Sequence, residues 1–472
     1  MGVEQQQGTQ DQLSLFAGEV AFVRFFAGGE AGSESAAAGE RQAPAALDGN
    51  RALATDALME KVCERENLNR AYKKVKSNRG APGVDGMTVD ELGPWLKAHR
   101  EEVIRGLLEG SHRPQAVRGI EIPKPGGGVR QLGIPTVVDR WVQQAILQVL
   151  NPLFDPTFSE SSYGFRPGRN THQALRKAQE YVAGGRVIVV DLDLEKFFDR
   201  VDHDVLMSRL ARRVSDKRLL RIVRRFLEAG MMKHGAFVDR DEGTPQGGPL
   251  SPLLGNLLLD DLDQELERRG HRFCRYADDC NIYVQSKAAG ERVMASVTRY
   301  LEERLRLRVN PAKSAVAHVS ERKFLAHRLL AGGRLGIAPQ SLKRAKDRIR
   351  EITRRKRGVS IHRMISELNS FLTGWVTYFR YASAKTHLQR LDEWIRKKVR
   401  CARLKQRKRG RPMTRFLVSL GVPKQRARSL GGSGRGWWRM AGSPQACEAM
   451  CLEWFEGIGL TSVTARYLQL QN

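Results

Sequence analysis

Arg272-Phe-Cys-Arg-Tyr-Ala-Asp-Asp-Cys-Asn-Ile-Tyr-Val-Gln285 is the stretch on which the reading of this chain turns. Apolar and aromatic residues flank Asp278 and Asp279, so the segment predicts strand, tight turn, strand, with the acids at the tip. Adjacent carboxylates repel each other and are poor strand formers. A divalent cation offsets that repulsion, and Mg²⁺ prefers hard carboxylate oxygens while leaving positions for water and phosphate. An ordinary acidic turn has the same composition, because Asp is common in turns. A second stretch, Val187-Ile-Val-Val-Asp-Leu-Asp193, is an apolar strand that ends in acid. Set beside the Asp278-Asp279 turn, Asp193 makes a third carboxylate on one sheet edge, an arrangement suited to two Mg²⁺ ions about 3.5–4 Å apart. Asp191 shares the orientation of Asp193 by the two-residue period of a strand and competes for the role.

The elements around these two stretches follow from periodicity. Helical apolar spacing runs over Ala54–Lys76 and again over Thr88–Leu108. Arg118–Pro123 and Arg130–Ile134 flank Lys124-Pro-Gly-Gly-Gly and predict a hairpin. Asp139–Leu150, His203–Val214, Lys217–Ala229 and Gly290–Leu307 have helical patterns, and Ala315–Val319 is a further strand. Strand, helix, hairpin, helix, strand in that order predicts a split βαβ sheet. Gly243-Thr-Pro-Gln-Gly-Gly-Pro-Leu-Ser-Pro252 is too rich in Gly and Pro for helix, and its backbone amides can face a phosphate or base at the start of the helix that follows.

Composition narrows the partner. Lys and Arg number 80 against 52 Asp and Glu, a formal charge of +28, which attracts a polyanion such as nucleic acid. No apolar run is long enough for a spanning helix, so no membrane partner is expected. Nor does the N-terminus have the pattern of a secretory signal. Six scattered cysteines without a CxxC pair fit reduced thiols in a cytoplasmic protein. The basic charge concentrates late in the chain. Lys343–Arg357 carries nine Lys or Arg against two acids, and Arg396–Arg411 carries ten and no acid. Such helices grip phosphates largely without regard to base sequence. The candidate RNA contacts are Arg396, Lys397, Lys398, Arg400, Arg403, Lys405, Arg407, Lys408 and Arg409. Interleaved aromatics, among them Phe371, Trp375 and Trp394, have the spacing of core residues, with one or two left to stack on bases.

Six blocks in order resemble the reverse transcriptases encoded in bacterial group II introns, the family also called maturases. They are Ile122–Pro135, Ser162-Tyr-Gly-Phe-Arg-Pro-Gly-Arg169, Asp191–Asp204, Gly243–Asn256, Tyr276–Asp279 and Leu307–Ser314. Downstream, Phe371-Leu-Thr-Gly-Trp-Val-Thr-Tyr-Phe-Arg380 resembles the maturase thumb, called domain X. The resemblance implies an α+β right-hand polymerase with fingers, a ferredoxin-like palm and an α-helical thumb. It selects Asp193 over Asp191 and implies metal ligation of two Mg²⁺ by Asp193, the Leu194 carbonyl and Asp278, with Asp279 completing the acidic cluster. Lys124, Arg130, Phe198, Gln246 and Lys313 correspond to dNTP-binding positions. Among them Phe198 is the ring that excludes a ribose 2′-OH, and Lys313 is a possible general acid near the pyrophosphate. The implied partners are group II intron RNA, an RNA template with a DNA primer, target DNA and dNTPs. The implied function is copying intron RNA into DNA and assisting its splicing and retrohoming.

The expected organisation is a weakly ordered leader over residues 1–54, fingers and palm over 55–338, thumb over 339–430 and a short tail over 431–472. Residues 437–472 contain no histidine and are too short for the endonuclease domain that many members of the family carry. Two other functions fit the same sequence. One is a stand-alone reverse transcriptase used in defence or repair; the other is an RNA-binding splicing factor with an inactive polymerase site.

Overall fold

The structure is a computed structural model that describes residues 55–123, 128–233 and 235–471. The leader expected over residues 1–54 lies outside them, as does Lys124. Two compact units divide between Arg322 and Lys323.

The first unit opens with α1 (Leu58–Cys63) and α2 (Arg65–Asn78). Continuous apolar spacing predicts a single helix here, but Glu64 is extended, with ψ 135°, and breaks it. α3 (Leu92–Leu108) begins later than expected, because the Thr88 amide and hydroxyl both donate to the Glu91 carboxylate at 2.7 Å and close a turn instead. β1 (Val117–Pro123) and β2 (Val129–Ile134) form the expected antiparallel hairpin. α4 (Val137–Phe154) is capped by the Thr136 hydroxyl, which accepts from the Asp139 amide. α5 (Thr171–Ala183) carries a reciprocal capping box between Asn170 and Gln173. Next come β3 (Ile188–Leu192), α6 (His203–Ala211) and α7 (Lys217–Glu228). A short hairpin, β4 (Met231–Lys233) and β5 (Ala236–Val238), follows. The unit ends with α8 (Ser251–Arg268), β6 (Arg272–Tyr276), β7 (Asp279–Val284), α9 (Lys287–Leu305) and β8 (Ala315–His318).

Four of these strands form a sheet in the spatial order β6-β7-β3-β8, with every neighbour antiparallel. This is the split βαβ arrangement the sequence predicts, with α5 and α9 packed on the sheet. Val190, Leu192, Phe273 and Ile282 supply its buried face and join Trp141, Ile146 and Leu254 in one core. A second sheet, β2-β1-β4-β5, joins the β1–β2 hairpin to strands that periodicity did not reveal. Three-residue strands are too short to display an alternation.

The second unit begins with a hairpin, β9 (His327–Leu329) and β10 (Leu335–Ile337). Five helices follow: α10 (Pro339–Ile352), α11 (Ile361–Tyr378), α12 (Lys385–Arg407), α13 (Arg411–Ser419) and α14 (Lys424–Gly431). The chain then makes α15 (Trp437–Met440), α16 (Pro444–Ala449), α17 (Leu452–Gly457) and α18 (Val463–Gln469). The sequence placed a boundary at 338/339, beside Gly332-Gly333. The compact units instead divide earlier, because the β9–β10 hairpin is bonded to the helices after it. The His327 ring lies 4.8 Å from that of Phe379, the Tyr378 hydroxyl donates to Leu325, and the Ser383 amide donates to Leu335. Residues 431–472 are likewise no separate tail. Met440, Phe455 and Tyr467 share one core with Ile349, Trp375 and Leu391. Asp392, buried on α12, accepts from the Val463 amide at 2.8 Å and the Thr464 amide at 2.9 Å, so its carboxylate caps α18. No helix of the described residues is long and apolar enough to cross a membrane.

Candidate active site at the sheet edge

The register of the sheet brings the two acidic stretches together. β3 pairs with β7 so that Leu192 faces Cys280, which sets Asp193 beside the start of β7. Tyr276 pairs with Asp279 across a turn made by Ala277 and Asp278. Ala277 sits at φ 57°, a left-handed conformation that costs a residue with a Cβ. A buried guanidinium holds it there: Arg275 Nη1 donates to the Ala277 carbonyl at 2.9 Å. Arg275 also meets Asp263 at 2.5 Å, Asn256 Oδ1 at 2.9 Å and Ser162 Oγ at 2.8 Å. Both partners of the Arg275–Asp263 pair are wholly shielded from solvent.

The block Ser162-Tyr-Gly-Phe lies against the same turn. A Cβ on Gly164 would stand 2.2 Å from the Ala277 nitrogen, so only glycine fits. Asn256 Nδ2 donates to the Gly164 carbonyl at 2.8 Å, and the Tyr163 amide donates to Arg275 at 2.9 Å.

Electrostatics distinguish the acids. Burial pushes the Asp278 carboxyl above its ordinary range, and the charge of Asp193 pushes it the same way; Arg130 and Lys313 pull against them. Lys313 Nζ lies 3.4 Å from both carboxylate oxygens of Asp193. The main chain of Asp193 is pinned as well: its amide donates to Ser314 Oγ at 3.0 Å and its carbonyl accepts from the Asn310 amide at 2.8 Å. Leu194 follows, bridged to Val309. Asp191 is engaged elsewhere. Arg322 holds its carboxylate at 2.6 Å, and the Asn281 amide, in the orientation that satisfies it, donates to the other oxygen at 3.0 Å.

Among the described residues no group of three or more His, Cys, Asp or Glu that could hold a metal ion is found. Asp278 is the second residue of the turn and Asp279 the first of β7. The charge of Asp193 bears directly on Asp278. The donors present, carboxylates and a neighbouring main-chain carbonyl at Leu194, are hard oxygens of the kind Mg²⁺ takes. A carboxyl held above its range beside a second carboxylate is the electrostatic situation that a divalent cation relieves.

The remaining candidates fall around this pair. Arg130, on β2, is close enough for its charge to act on Asp278. Phe198 is buried, its ring 4.9 Å from that of Phe197, and its carbonyl accepts from the Thr244 amide at 2.7 Å. Gln246 Nε2 donates to Asp199 Oδ1 at 3.3 Å, and its carbonyl accepts from the Gly133 amide at 3.0 Å. A Cβ on Gly247 would stand 2.6 Å from the Gly133 carbonyl, so the glycine-rich loop packs tightly on the β1–β2 hairpin.

The basic residues of α12 and its end are not equivalent. Arg400 donates to the carbonyls of Ala441 and Met450 and so ties α12 to the helices after it. Arg403 lies over the Phe416 ring at 5.1 Å and Arg407 over the same ring at 4.7 Å. Burial holds the guanidinium groups of Arg400 and Arg403 below their ordinary range. Arg409 covers Trp437 at 5.1 Å and Lys397 covers Trp438 at 4.6 Å. Arg396, Lys398 and Lys405 are half-buried, while Lys408 is exposed.

Sequence reasoning missed Arg275, Asp263 and Asn256. The available signal was Arg275 itself, a charge inside an otherwise apolar strand, which calls for a buried counter-charge.

The reverse transcriptase (RNA-dependent DNA polymerase) family matches residues 122–329, and the group II intron maturase-specific domain matches residues 342–418. Protein YkfC of Escherichia coli strain K12 is 35% identical, with the match covering 58% of this chain and 82% of that protein. The group II intron-encoded protein LtrA of Lactococcus lactis is 34% identical over 41% of this chain and 32% of its own length. The chain therefore spans most of the first relative and about a third of the second, 82% and 32%. Among solved structures, a partial Cas6-RT-Cas1–Cas2 complex is similar at 26% identity and a TM-score of 0.35, over 52% of this chain and 42% of that one.

Proposed function

The chain belongs to the group II intron-encoded reverse transcriptases that carry a maturase domain, and on that premise we propose that it copies intron RNA into DNA by a two-metal mechanism. The observation that carries the reading is the Asp193–Asp278 pair, held at the end of β3 by sheet register and by a buried guanidinium. Asp193, the Leu194 carbonyl and Asp278 would hold two Mg²⁺ ions, with Asp279 adding negative charge beside them. The bound ions supply charge neutralisation for in-line displacement at the α-phosphate of a dNTP.

The chain's own groups do the rest. Arg130, with Lys124, neutralises the triphosphate. The Phe198 ring fills the space a ribose 2′-OH needs and so selects dNTP. Gln246 lines the nucleotide pocket through its tie to Asp199. Lys313, whose ammonium faces the Asp193 carboxylate, would hold a proton for the leaving pyrophosphate. The basic faces of α10 and α12 bind structured group II intron RNA and assist its splicing without bond chemistry of their own. The template RNA with its DNA primer, and target DNA, are the other partners, met in the cytoplasm; six free cysteines are in keeping with that compartment.

Primer extension on an RNA template in Mg²⁺ tests the polymerase reading, run beside a splicing assay on the flanking RNA. Asp278→Ala with Asp279→Ala is expected to abolish DNA synthesis and leave splicing assistance largely intact. Loss of both activities from a variant that remains folded contradicts the separation.

A further inference from the structure

An exposed indole in the second unit has no role in the reading above. Trp438 is 40% exposed and lies on α15, beyond the residues that the maturase-specific domain matches. Lys397 Nζ stands 4.6 Å from the centroid of its ring and Lys398 Nζ stands 5.5 Å away. Lys398 also lies 5.3 Å from the Trp394 ring, whose own neighbour is Arg350 at 5.5 Å. Cation and ring therefore alternate across one surface in the order Arg350, Trp394, Lys398, Trp438, Lys397. These residues come from three helices, α10, α12 and α15, so no single helical repeat generates the alternation.

Two features separate this surface from an ordinary core seam. Its cations are close together: burial holds the Lys398 ammonium below the ordinary range, and the charges of Arg350 and Arg355 push it the same way. Like charges brought this close cost free energy unless an anion joins them. The Trp438 ring, moreover, is left partly in water beside two ammonium groups, so aromatic and cation present one amphipathic surface together. A phosphate backbone meets the cations, and an unpaired base offers the flat face that an indole stacks upon. Bases inside a duplex are already stacked on one another and cannot present that face.

We propose that Trp438, with Lys397 and Lys398, forms a stacking site for an unpaired nucleotide of a single-stranded nucleic acid. This deepens the reading that α12 contacts nucleic acid, and it stands apart from the polymerase chemistry of the first unit. The site takes one base on the indole and the flanking phosphates on the two ammonium groups. Its preference is for unpaired over paired strands, with little regard for which base is presented.

The test is photo-crosslinking of the full chain to a short single strand that carries 5-iodouracil, followed by peptide mapping. One arm uses RNA and the other DNA of the same sequence, which tells the two sources of the ligand apart. Crosslinks are expected within Trp437–Arg439, competed by unlabelled single strand and not by blunt duplex. Trp438→Leu, which keeps apolar bulk, should lower crosslinking to Lys397–Arg400 peptides by at least about fivefold, the low end for loss of one stacked base. Lys397→Gln with Lys398→Gln should weaken the salt dependence of capture at this site. Absence of crosslinks from these peptides while others form overturns the proposal, as does equal competition by duplex. A merely structural role, in which the ammonium groups staple α15 to α12, predicts a lower melting temperature for Trp438→Leu with capture unchanged, and that result also overturns it. Primer extension by the same preparations reads the polymerase separately, so failure of one reading is not mistaken for failure of the other.

Discussion

Arg275 Nη1 donates to the carbonyl of Ala277 at 2.9 Å, so a cation without solvent contact sets the shape of the turn that presents Asp278. The same guanidinium is neutralised by Asp263 of α8 and braced by Asn256 and Ser162. Burying such a pair is costly, and hydrophobic residues of equal volume are often as stable. Its use here is positional: five donors in a fixed fork reach one turn, one helix and one loop together.

Removing one partner leaves the other charged and buried. Arg275→Ala should destabilise the first unit by about 3–5 kcal/mol, read as a fall in the denaturation midpoint. The double variant Arg275→Met, Asp263→Leu should recover most of that stability and yet remain inactive in primer extension, because nothing then holds Ala277. Recovery of activity along with stability would show that the pair serves the core and not the turn.

Asp260, one turn before Asp263 on α8, gives a pH prediction. Burial, and then the charge of Asp263, push its carboxyl up to about 6. Its pKa is raised in the folded chain, so the proton is retained on folding between about pH 4 and that value. Stability from this group is therefore complete at low pH and lost as pH rises through about 6. Asp260→Asn keeps the acceptor for the Ser159 amide and cannot ionise. It should melt higher than the parent at pH 8 and equally at pH 4. A parent-like melting temperature at both pH values sinks the assignment.

Much of this site was legible because it rests on local pattern. The apolar run ending at Asp193, and the acids between two β-forming segments, announce strand ends and a turn without knowledge of partners. The supports were not legible, for they depend on pairing across the chain. Arg275 and Asp263 are 12 residues apart, while Ser162 is 113 residues from Arg275. The β4–β5 and β9–β10 hairpins were missed because strands so short have no measurable period. The boundary at 338/339 rests on Gly332-Gly333 and Pro339; Pro339 does open α10, but the two glycines lie inside a hairpin turn, where Gly332 has φ 69° and Gly333 φ 76°. The exclusion of Asp191 becomes physical only with Arg322 in view, 131 residues away.

Gly164 carries a prediction of the same long-range kind. An added methyl would meet the Ala277 nitrogen at 2.2 Å and the Tyr276 carbonyl carbon at 2.9 Å, both main-chain atoms that cannot swing aside. Gly164→Ala should therefore shift the turn and cost about 1–3 kcal/mol, with primer extension reduced more than stability. Gly168→Ala is the control: φ is 70° there, a left-handed value that Gly164 does not share, and no neighbour lies within 4 Å, so its penalty is backbone strain alone. Equal loss of polymerase activity in the two variants contradicts the assignment of Gly164 to the turn.

The proposed nucleotide pocket is tied together by contacts between two loops. Thr244 donates its amide to the Phe198 carbonyl at 2.7 Å, Gly243 donates to Val201 at 2.7 Å, and Gln246 Nε2 donates to Asp199 Oδ1 at 3.3 Å. The ring proposed to exclude a 2′-OH and the glutamine proposed to line the pocket therefore move as one. Phe198→Ala empties the ring's volume and should raise ribonucleotide incorporation relative to deoxyribonucleotide. Asp199→Ala leaves the ring in place but releases the glutamine amide. It should raise KM for every dNTP and change sugar discrimination less than Phe198→Ala does. Asp199→Asn retains an oxygen acceptor and should fall between the parent and Asp199→Ala. Steady-state incorporation of dNTP and rNTP opposite one template base separates these outcomes. If Asp199→Ala relaxes sugar choice as far as Phe198→Ala while KM for dNTP stays at the parent value, the carboxylate acts on the ring and not through Gln246.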